Sequence, residues 1–408
     1  MNLLSEKAGL NNQEKLLFRI ALFLILTLLL LSNRWMSFEE GRDFLAAADS
    51  LSFESIAASA PHFPADPIPY QHAQRWVPAY LVGLSAKVFS IPLGLAFQFM
   101  VFFLVLAIVR TLSDLAVRIT ESQSASLILA AALILNPYLF RYYLIVSGLL
   151  PDLFFVFGLT LITRGLFVKG EKQIIFGLII ASLGRQSSLL VLPGLAYWIY
   201  STRKELKRTL WVRMSALAIP VILYVALGKI GTKFATPSHN LEHLFGLGNF
   251  VSKHLSQTST LLKGFVEHAL RLLLPHLAAF ALMDAVFLRL KLKQKFELIK
   301  SPLFITFGLI WLGIIAQPFM NGPDPNHTRL SVIAFPATWA LLLLSLRTQQ
   351  HVKITQWKII ILIGFLFLSS LHHKFTLFGP TDSTQLVIYA LGICMALFAV
   401  FWRMLRVV

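Results

Sequence analysis

The chain alternates long apolar runs with short polar segments over most of its length. Several apolar runs reach or approach the roughly 20 residues that an α-helix needs to cross a bilayer, the first of them from Leu16 to Leu31. This pattern predicts an all-α, polytopic integral membrane protein with about 10–12 transmembrane or re-entrant helices. The chain has no repeat of fixed period and no low-complexity linker, so residues 1–408 are expected to form a single membrane domain.

Basic clusters between the apolar runs predict the topology, because Lys and Arg concentrate in cytoplasmic loops. The clusters expected in the cytoplasm are Arg164–Lys172, Arg203–Arg213, Arg289–Lys300, Arg347–Lys358, and Arg403 with Arg406. The N-terminus is expected on the same side, and the first apolar run should stay uncleaved, because Ala46–Ala48 lies too far after it for a signal-peptidase site. The first polar segment, residues 32–76, then forms an external loop.

Two apolar regions do not fit a simple count of spans. Residues 76–110 are interrupted at Lys87 and at Ile91-Pro92, so one of the two pieces should be short, tilted or broken. Residues 174–200 have basic clusters on both flanks but are too short for two ordinary spans. A broken-helix hairpin that enters and leaves the membrane on one side satisfies both facts, with Arg185 near its tip.

Composition agrees with a membrane protein, since 57% of the residues are hydrophobic and only 13% are charged. A net charge of +17 would indicate nucleic-acid binding in a soluble protein. Here the basic residues lie between apolar runs, so membrane lipids are the expected partners and no nucleic acid is. The single cysteine, Cys394, excludes an intramolecular disulfide and a cysteine-based metal site.

The external loop 32–76 is unusually acidic. It holds six of the nineteen acidic residues of the chain, namely Glu39, Glu40, Asp43, Asp49, Glu54 and Asp66. A carboxylate beside the membrane can take the proton from an acceptor hydroxyl, and Glu39, Glu40 and Asp43 are the candidate catalytic bases. Asp49 and Glu54 are interpreted as surface residues of a helix over 44–58. Alternatively, the loop is acidic only because external loops contain few Lys and Arg.

Arg185 is the first candidate for binding an anion. A guanidinium offers two parallel hydrogen bonds to a phosphate, and an arginine at membrane depth implies an anionic partner. The alternative is an internal ion pair with Asp152 or another acid. The pair Pro151-Asp152 precedes the apolar run 153–167, where Asp152 either orients Arg185 or caps its own helix.

The histidines do not predict a metal site. His239 and His243 have the i, i+4 spacing of ligands on one helix face, but no third ligand is fixed by spacing. The other histidines considered are His254, His268, His327, His372 and His373. No metal ligand is assigned, and a divalent metal ion stays open as a cofactor. The chain also lacks a Gly-rich phosphate loop and a serine-nucleophile elbow.

Four short motifs carry a family resemblance. The acidic loop continues into Tyr70–Pro78, which is similar to a Tyr-x-x-x-Gln-Arg-x-x-x-Pro pattern, and Asn136-Pro137 is followed by Pro151-Asp152. Leu183–Leu190 is similar to a Leu-Thr-Arg/Lys-x-x-x-Leu-Leu segment, with a weaker likeness over Arg329–Pro336. In these places the chain resembles the GT-C superfamily of membrane glycosyltransferases. It departs from the family at Glu40-Gly41, where Asp-Gly is frequent, and at Gln186, where an acid usually follows the arginine.

The resemblance implies a glycosyltransferase of the bacterial inner membrane and cell envelope. It would move a sugar from a polyprenyl-phosphate-linked donor to a lipid, glycan or protein acceptor at the outer face. One acid of the first loop would be the base, and Arg185 would hold the donor phosphate. The candidate substrate-binding residues are Arg185, Asp66, Tyr70, Arg75, Asp152 and Arg329. The alternative is a lipid-linked glycan transporter, flippase or polymerase, which would use cations in a cavity but would not need an acidic first loop.

Overall fold

A computed structural model describes residues 12–44, 48–204, 210–236, 269–320, 327–348, 356–371, 375–377 and 383–405. The described regular structure is helical. In chain order the helices are α1 Asn12–Ser32, α2 Phe38–Phe44, α3 Ala48–Ser59, α4 Tyr70–Ala73, α5 Trp76–Phe89, α6 Leu93–Thr120, α7 Gln123–Ile134, α8 Arg141–Ile145, α9 Leu150–Val168, α10 Glu171–Gly184, α11 Leu192–Thr202, α12 Leu210–Ala216, α13 Ala218–Gly231, α14 Leu277–Arg289, α15 Leu292–Ile299, α16 Pro302–Met320, α17 His327–Val332, α18 Phe335–Arg347, α19 Gln356–Ser370 and α20 Ser383–Met404. Short 3-10 turns cover Ser147–Leu149, Gln186–Val191 and Leu274–His276.

Several helical stretches of the described chain are long and apolar enough to cross a membrane. They are Asn12–Ser32, Leu93–Thr120, Ser147–Val168, Leu210–Gly231 and Ala269–Arg289. The pair α15 and α16, bent by 61°, makes a sixth if it forms one span, and shorter apolar helices of 10–17 residues accompany them. The predicted all-α, multi-pass membrane fold is therefore confirmed.

One span, Ser147–Val168, forms the centre of the fold. Its apolar window is 83% buried within the protein, whereas the window of Asn12–Ser32 is 22% buried and that of Leu93–Thr120 is 39% buried. Most of the apolar surface of these two helices is not covered by protein, so it is available to lipid. The central helix α9 is instead enclosed by its neighbours, so polar groups on it need protein partners.

Helices α9 and α10 form a tight antiparallel hairpin. The turn between them is made by Lys169, whose φ of 53° is left-handed, and by Gly170. A Cβ on Gly158 would lie 2.6 Å from the Gly177 carbonyl oxygen, and one on Gly184 would lie 2.5 Å from the Pro151 carbonyl oxygen. Glycine thus lets the two backbones touch. This contact holds the start of α9 beside the end of α10.

Both predicted helix interruptions are present. Residue Arg185 is extended, with φ −151° and ψ 148°, and separates α10 from the 3-10 turn Gln186–Val191. The first region breaks between α5 and α6, where Ser90 has a left-handed φ of 53° and Pro92 precedes α6. The break near Gly184–Ser188 is confirmed, and the side of the membrane from which this segment enters stays a prediction.

The acidic loop is a folded layer built from α2, α3 and α4. Phe53 and Ile56 of α3 are almost completely buried. The backbone N–H of Ile68 donates to the Phe234 carbonyl oxygen at 3.1 Å, which joins the loop to the segment after α13. Phe63 stacks on Phe234 at 4.6 Å between ring centroids and meets Trp76 edge-on at 5.2 Å. These contacts place the loop over the end of the bundle that holds the start of α9.

Candidate functional site

Three charged residues from distant parts of the chain meet at the start of α9. The Asp152 side chain accepts a hydrogen bond from the Arg185 guanidinium through one carboxylate oxygen. Its other oxygen accepts from Arg329 Nε at 2.8 Å. The side chains of Asp152 and Arg185 are 2% and 4% exposed, so the carboxylate is held by ion pairs away from water. Arg185 lies opposite Asp152 because the α9–α10 hairpin brings these two ends together.

The first loop adds a second carboxylate to this cluster. Asp49, at the start of α3, accepts a hydrogen bond from Arg329 Nη2 at 2.8 Å. Its other oxygen lies 3.2 Å from His72 Nε2, and His72 Nδ1 lies 2.9 Å from Ser52 Oγ. Arg329 therefore bridges Asp49 of the loop and Asp152 of the central helix. The histidine is buried and orients the Asp49 carboxylate from the opposite side.

A strip of polar side chains extends the cluster along the break after α10. Arg75 Nε donates to Gln186 Oε1 at 3.0 Å, and the Gln186 amide donates to Gln74 Oε1. The next residue along, Ser187, donates from Oγ to Gln317 Oε1 at 2.8 Å. The short segment before α5 and the 3-10 turn after α10 thus face each other through polar groups.

The assembled site carries a positive charge in excess. Three guanidinium groups, those of Arg75, Arg185 and Arg329, face the two carboxylates of Asp49 and Asp152. Among the described residues, Arg185 Nε and Gln74 Nε2 are buried donors without a hydrogen-bond partner. A buried N–H group without an acceptor is costly. Excess positive charge together with unused N–H donors is the chemistry that binds an anion with oxygen acceptors.

The pKa values of the outermost charged groups keep them ionised at neutral pH. Burial alone would raise the pKa of the Asp49 carboxyl group, but hydrogen bonds and positive charge from His72 and Arg329 hold this pKa well below its ordinary value of 3.8. Burial, followed by the positive charge of Arg185, lowers the pKa of the Arg75 guanidinium to about 9. Both groups lie outside the candidate spans.

The open side of the cluster is formed by the loop residues. The Asp49 side chain is 30% exposed and Arg75 is half-buried, whereas Arg185 and Asp152 are closed off. A ligand would therefore approach from the side of Asp49 and Arg75. The end of α9 opposite the cluster is near Arg164 and Lys172, so the predicted topology puts the cluster at the outer face.

Most residues predicted to bind substrate meet at this cluster. Arg185, Asp152, Arg329 and Arg75 are joined by the contacts above. The alternative stated for Arg185, an internal ion pair with Asp152, is observed. Asp152 itself orients Arg185 and does not cap its helix, because that helix has no side-chain cap and both Asp152 oxygens pair with arginines. The other two candidates are joined to the cluster by no hydrogen bond or ion pair between described residues. Asp66 is exposed, and Tyr70 begins α4 and is half-buried.

The three predicted bases are not part of the cluster. Ser37 and Glu40 cap α2 reciprocally: Ser37 N donates to Glu40 Oε2 at 2.8 Å, and Glu40 N donates to Ser37 Oγ at 3.2 Å. Glu39 is exposed, and the Asp43 side chain is 71% exposed and pairs with the adjacent Arg42. No hydrogen bond or ion pair between described residues joins these carboxylates to Arg185. Their catalytic role stays a prediction.

The sequence interpretation of Asp49 as a surface residue of its helix is wrong. Asp49 lies four residues before Phe53 and seven before Ile56, which puts it on the buried face of α3. That spacing is the signal which identifies Asp49 as an inward-facing acid. His72 and Tyr143 were also missed, and no local pattern marks either one. The Tyr143 hydroxyl is buried without a partner, within electrostatic range of Asp152.

Most of the histidines considered as metal ligands lie outside the part of the chain that the structure describes. His327 is the first residue of α17. The histidines that lie outside the described residues are His239, His243, His254, His268, His372 and His373. Within the ranges that the structure describes, no group of three or more His, Cys, Asp or Glu side chains lies close enough to hold a metal ion.

A further buried arginine has a structural role. The side chain of Arg141 is fully buried and donates to the Leu29 carbonyl oxygen at 3.2 Å, to Ser32 Oγ at 2.8 Å and to Ser370 Oγ at 3.1 Å. Ser32 ends α1 and Ser370 ends α19. A cation at helix C-termini satisfies carbonyl groups and opposes the negative end of the helix dipole, so Arg141 ties these two helices together.

Comparison of the chain with protein-family models gives no match, and comparisons with curated proteins and with solved structures give none either.

Proposed function

We propose that the chain is a GT-C-like glycosyltransferase of the bacterial inner membrane. It transfers a sugar from a polyprenyl-phosphate-linked donor to a lipid, glycan or protein acceptor at the outer face. The observation that carries the proposal is the buried cluster of three arginines and two carboxylates, with its excess positive charge and its unpartnered Arg185 Nε. The acidic first loop and the motif resemblance around Arg185 support the same assignment.

The charge of the cluster fits the donor. A sugar joined to a lipid through one phosphate is a phosphodiester with one negative charge, which matches the single positive charge left over among the arginines. During transfer the bond between the sugar carbon and the phosphate oxygen breaks, and the lipid phosphate leaves with a second negative charge. Arg75 borders the open side of the cluster, so its hydrogen bonds to that phosphate would strengthen as the charge develops, and the positive charge of the enclosed Arg185 would act on the phosphate from behind it.

The acceptor hydroxyl must lose its proton as its oxygen bonds to the sugar carbon. Asp49 is the candidate base that the geometry favours, because it is the carboxylate of the cluster with an exposed edge. Arg329 and His72 fix its orientation from both sides. A low pKa makes Asp49 a weak base, so its contribution is to orient the hydroxyl and to accept the proton late in the reaction. Glu39, Glu40 and Asp43 stay the predicted alternatives.

The test is sugar transfer by the purified protein in lipid nanodiscs, with a polyprenyl-phosphate-linked sugar as donor. Asp49→Asn should reduce kcat on the order of a hundredfold or more. Glu54→Gln is a matched control, because Glu54 lies on the same helix, has the same 30% exposure and also pairs with an arginine. It should retain transfer within about twofold.

Two outcomes would overturn parts of the proposal. Equal activity of Asp49→Asn and the wild type would exclude Asp49 as the base and return that role to the predicted loop acids. Binding and movement of the lipid-linked sugar across the membrane without any transfer would favour the transporter or flippase alternative. Such a protein keeps the arginine cluster but has no need of a base.

A further inference from the structure

Helix α15 does not continue the direction of the span that follows it. It covers Leu292–Ile299 between the long stretches that end at Arg289 and begin at Pro302, and it is bent by 61° from α16. Its first N–H group is capped by its own Gln294, whose Oε1 accepts from Lys291 N at 3.0 Å. A short, capped helix at this angle lies across the end of the bundle.

The exposed residues of α15 form separate apolar and charged faces. Leu292, Phe296 and Ile299 have the i, i+4, i+7 spacing of one helix face, and they are 69%, 52% and 42% exposed. Leu298 points instead into the protein core. Glu297 lies on the side away from the exposed apolar stripe, and Lys293 lies at the border of that stripe. The helix therefore has one face toward the protein, one apolar face that is exposed among the described residues, and one charged face.

The charge around α15 is strongly positive. Lys291, Lys293, Lys295 and Lys300 surround the apolar stripe, with Glu297 as the acid among them. In the part of the chain that the structure describes, none of these lysines forms an ion pair. Lys295 Nζ lies 5.1 Å from the centre of the Phe287 ring, and Lys300 Nζ lies 5.7 Å from that of Phe296. Lysines above aromatic rings at the end of a span are typical of the headgroup region.

We propose that α15 is an interfacial helix that binds the anionic headgroups of the surrounding membrane. Leu292, Phe296 and Ile299 enter the outer part of the acyl layer, and the lysines meet lipid phosphates. The partner is a lipid surface because the apolar stripe and the lysines lie together on a short helix between the candidate span that ends at Arg289 and the apolar helix α16, and a bilayer surface supplies both kinds of contact. The inference is independent of the proposed glycosyl transfer.

Depth is tested with fluorescent labels in liposomes that contain brominated acyl chains. Cys394→Ala gives a background without cysteine, since the chain has one cysteine. A bimane label at Phe296→Cys should be quenched at least twofold more than the same label at Glu297→Cys, the neighbouring position on the charged face. Equal quenching at both positions, or none at 296, would overturn the interfacial placement. No quenching at position 296 is the result expected if a protein covers this face.

Charge is tested by adding phosphatidylglycerol to phosphatidylcholine nanodiscs and following the label at position 296. The fluorescence of the label should change as phosphatidylglycerol is added. Lys293→Gln with Lys295→Gln should weaken that response, by about fivefold in lipid affinity per lysine. Lys229→Gln with Lys233→Gln removes the same charge from exposed positions at the far end of α13 and should leave the response unchanged. If the fluorescence of the label does not change with phosphatidylglycerol in the protein that keeps all its lysines, anionic headgroup binding is refuted.

Discussion

Replacing Asp152 by Asn should destabilise the protein more than any exposed charge substitution. Asp152 is 1% exposed and accepts hydrogen bonds from two buried guanidinium groups, those of Arg185 and Arg329. Asn keeps the shape of the side chain but removes its negative charge. The buried guanidinium groups of Arg185 and Arg329 are then balanced by one carboxylate, that of Asp49, instead of two. Loss of one partner from a buried ion pair typically costs about 3–5 kcal/mol. For a chain of this length that corresponds to a fall of roughly 4–6 °C in melting temperature.

The assay is thermal unfolding in detergent, with the half-life at a fixed temperature as a second measure because unfolding of such proteins is often irreversible. Asp43→Asn is the control, since the Asp43 side chain is 71% exposed and its ion pair with Arg42 is screened by water. Arg185→Met in the Asp152→Asn background should recover part of the loss, because it removes one uncompensated cation. Stability of Asp152→Asn equal to that of Asp43→Asn would refute the ion-pair account of the central helix.

Three further predictions concern the surroundings of the cluster. Gly184→Ala should destabilise by about 1–3 kcal/mol, because its Cβ would lie 2.5 Å from the Pro151 carbonyl oxygen, whereas Gly308→Ala meets nothing within 4 Å and should be neutral or stabilising in the same melting assay. The stabilising contribution of Asp49 should be complete above pH about 5 and should decrease progressively as the pH falls below about 4, because the folded pKa of Asp49 is well below its unfolded pKa. Melting temperatures measured from pH 3 to 6 should therefore fall less steeply towards low pH in Asp49→Asn than in the wild type. Glu40→Gln should cost up to about 1 kcal/mol through the α2 cap while reducing sugar transfer less than Asp49→Asn does; equal losses of transfer would restore Glu40 as the candidate base.

The membrane architecture was predictable from local pattern. Apolar run length predicted the multi-pass class but not the number of spans: five described stretches, or six with the bent pair, are long enough to cross a membrane, against the 10–12 transmembrane or re-entrant helices expected. The interruptions at Ile91-Pro92 and around Arg185 appear as helix breaks between α5 and α6 and after α10. These features depend on residues close in sequence, namely proline, glycine and charged side chains within apolar runs. Arg185 could be singled out for the same reason, since a guanidinium in an apolar segment needs a partner.

The partners within the site were harder to predict because they are distant in sequence. Arg329 meets Asp152 across 177 positions, and Arg75 meets Gln186 across 111. Charge density in the first loop favoured Glu39, Glu40 and Asp43, although the structure uses Glu40 for a helix cap. The position of each acid around its helix axis predicts the inward-facing acid better, because Asp49 lies on the same helix face as the buried Phe53. His72 follows only from how α4 packs beneath α3, which no local spacing specifies.

The most direct test of the proposed site is equilibrium binding of a polyprenyl-phosphate-linked sugar to the protein in nanodiscs. Among the described residues, Arg75 bonds to Gln186 and forms no ion pair with a carboxylate, so Arg75→Gln takes no ion-pair partner from Asp49 or Asp152. Loss of one charge-assisted contact to phosphate should weaken donor binding by about 10–100-fold. Arg203→Gln, which removes an exposed arginine beside Tyr200, should change binding by less than about twofold. Donor affinity that is the same in Arg75→Gln, Arg203→Gln and the wild type would contradict the assignment of this cluster as the phosphate site.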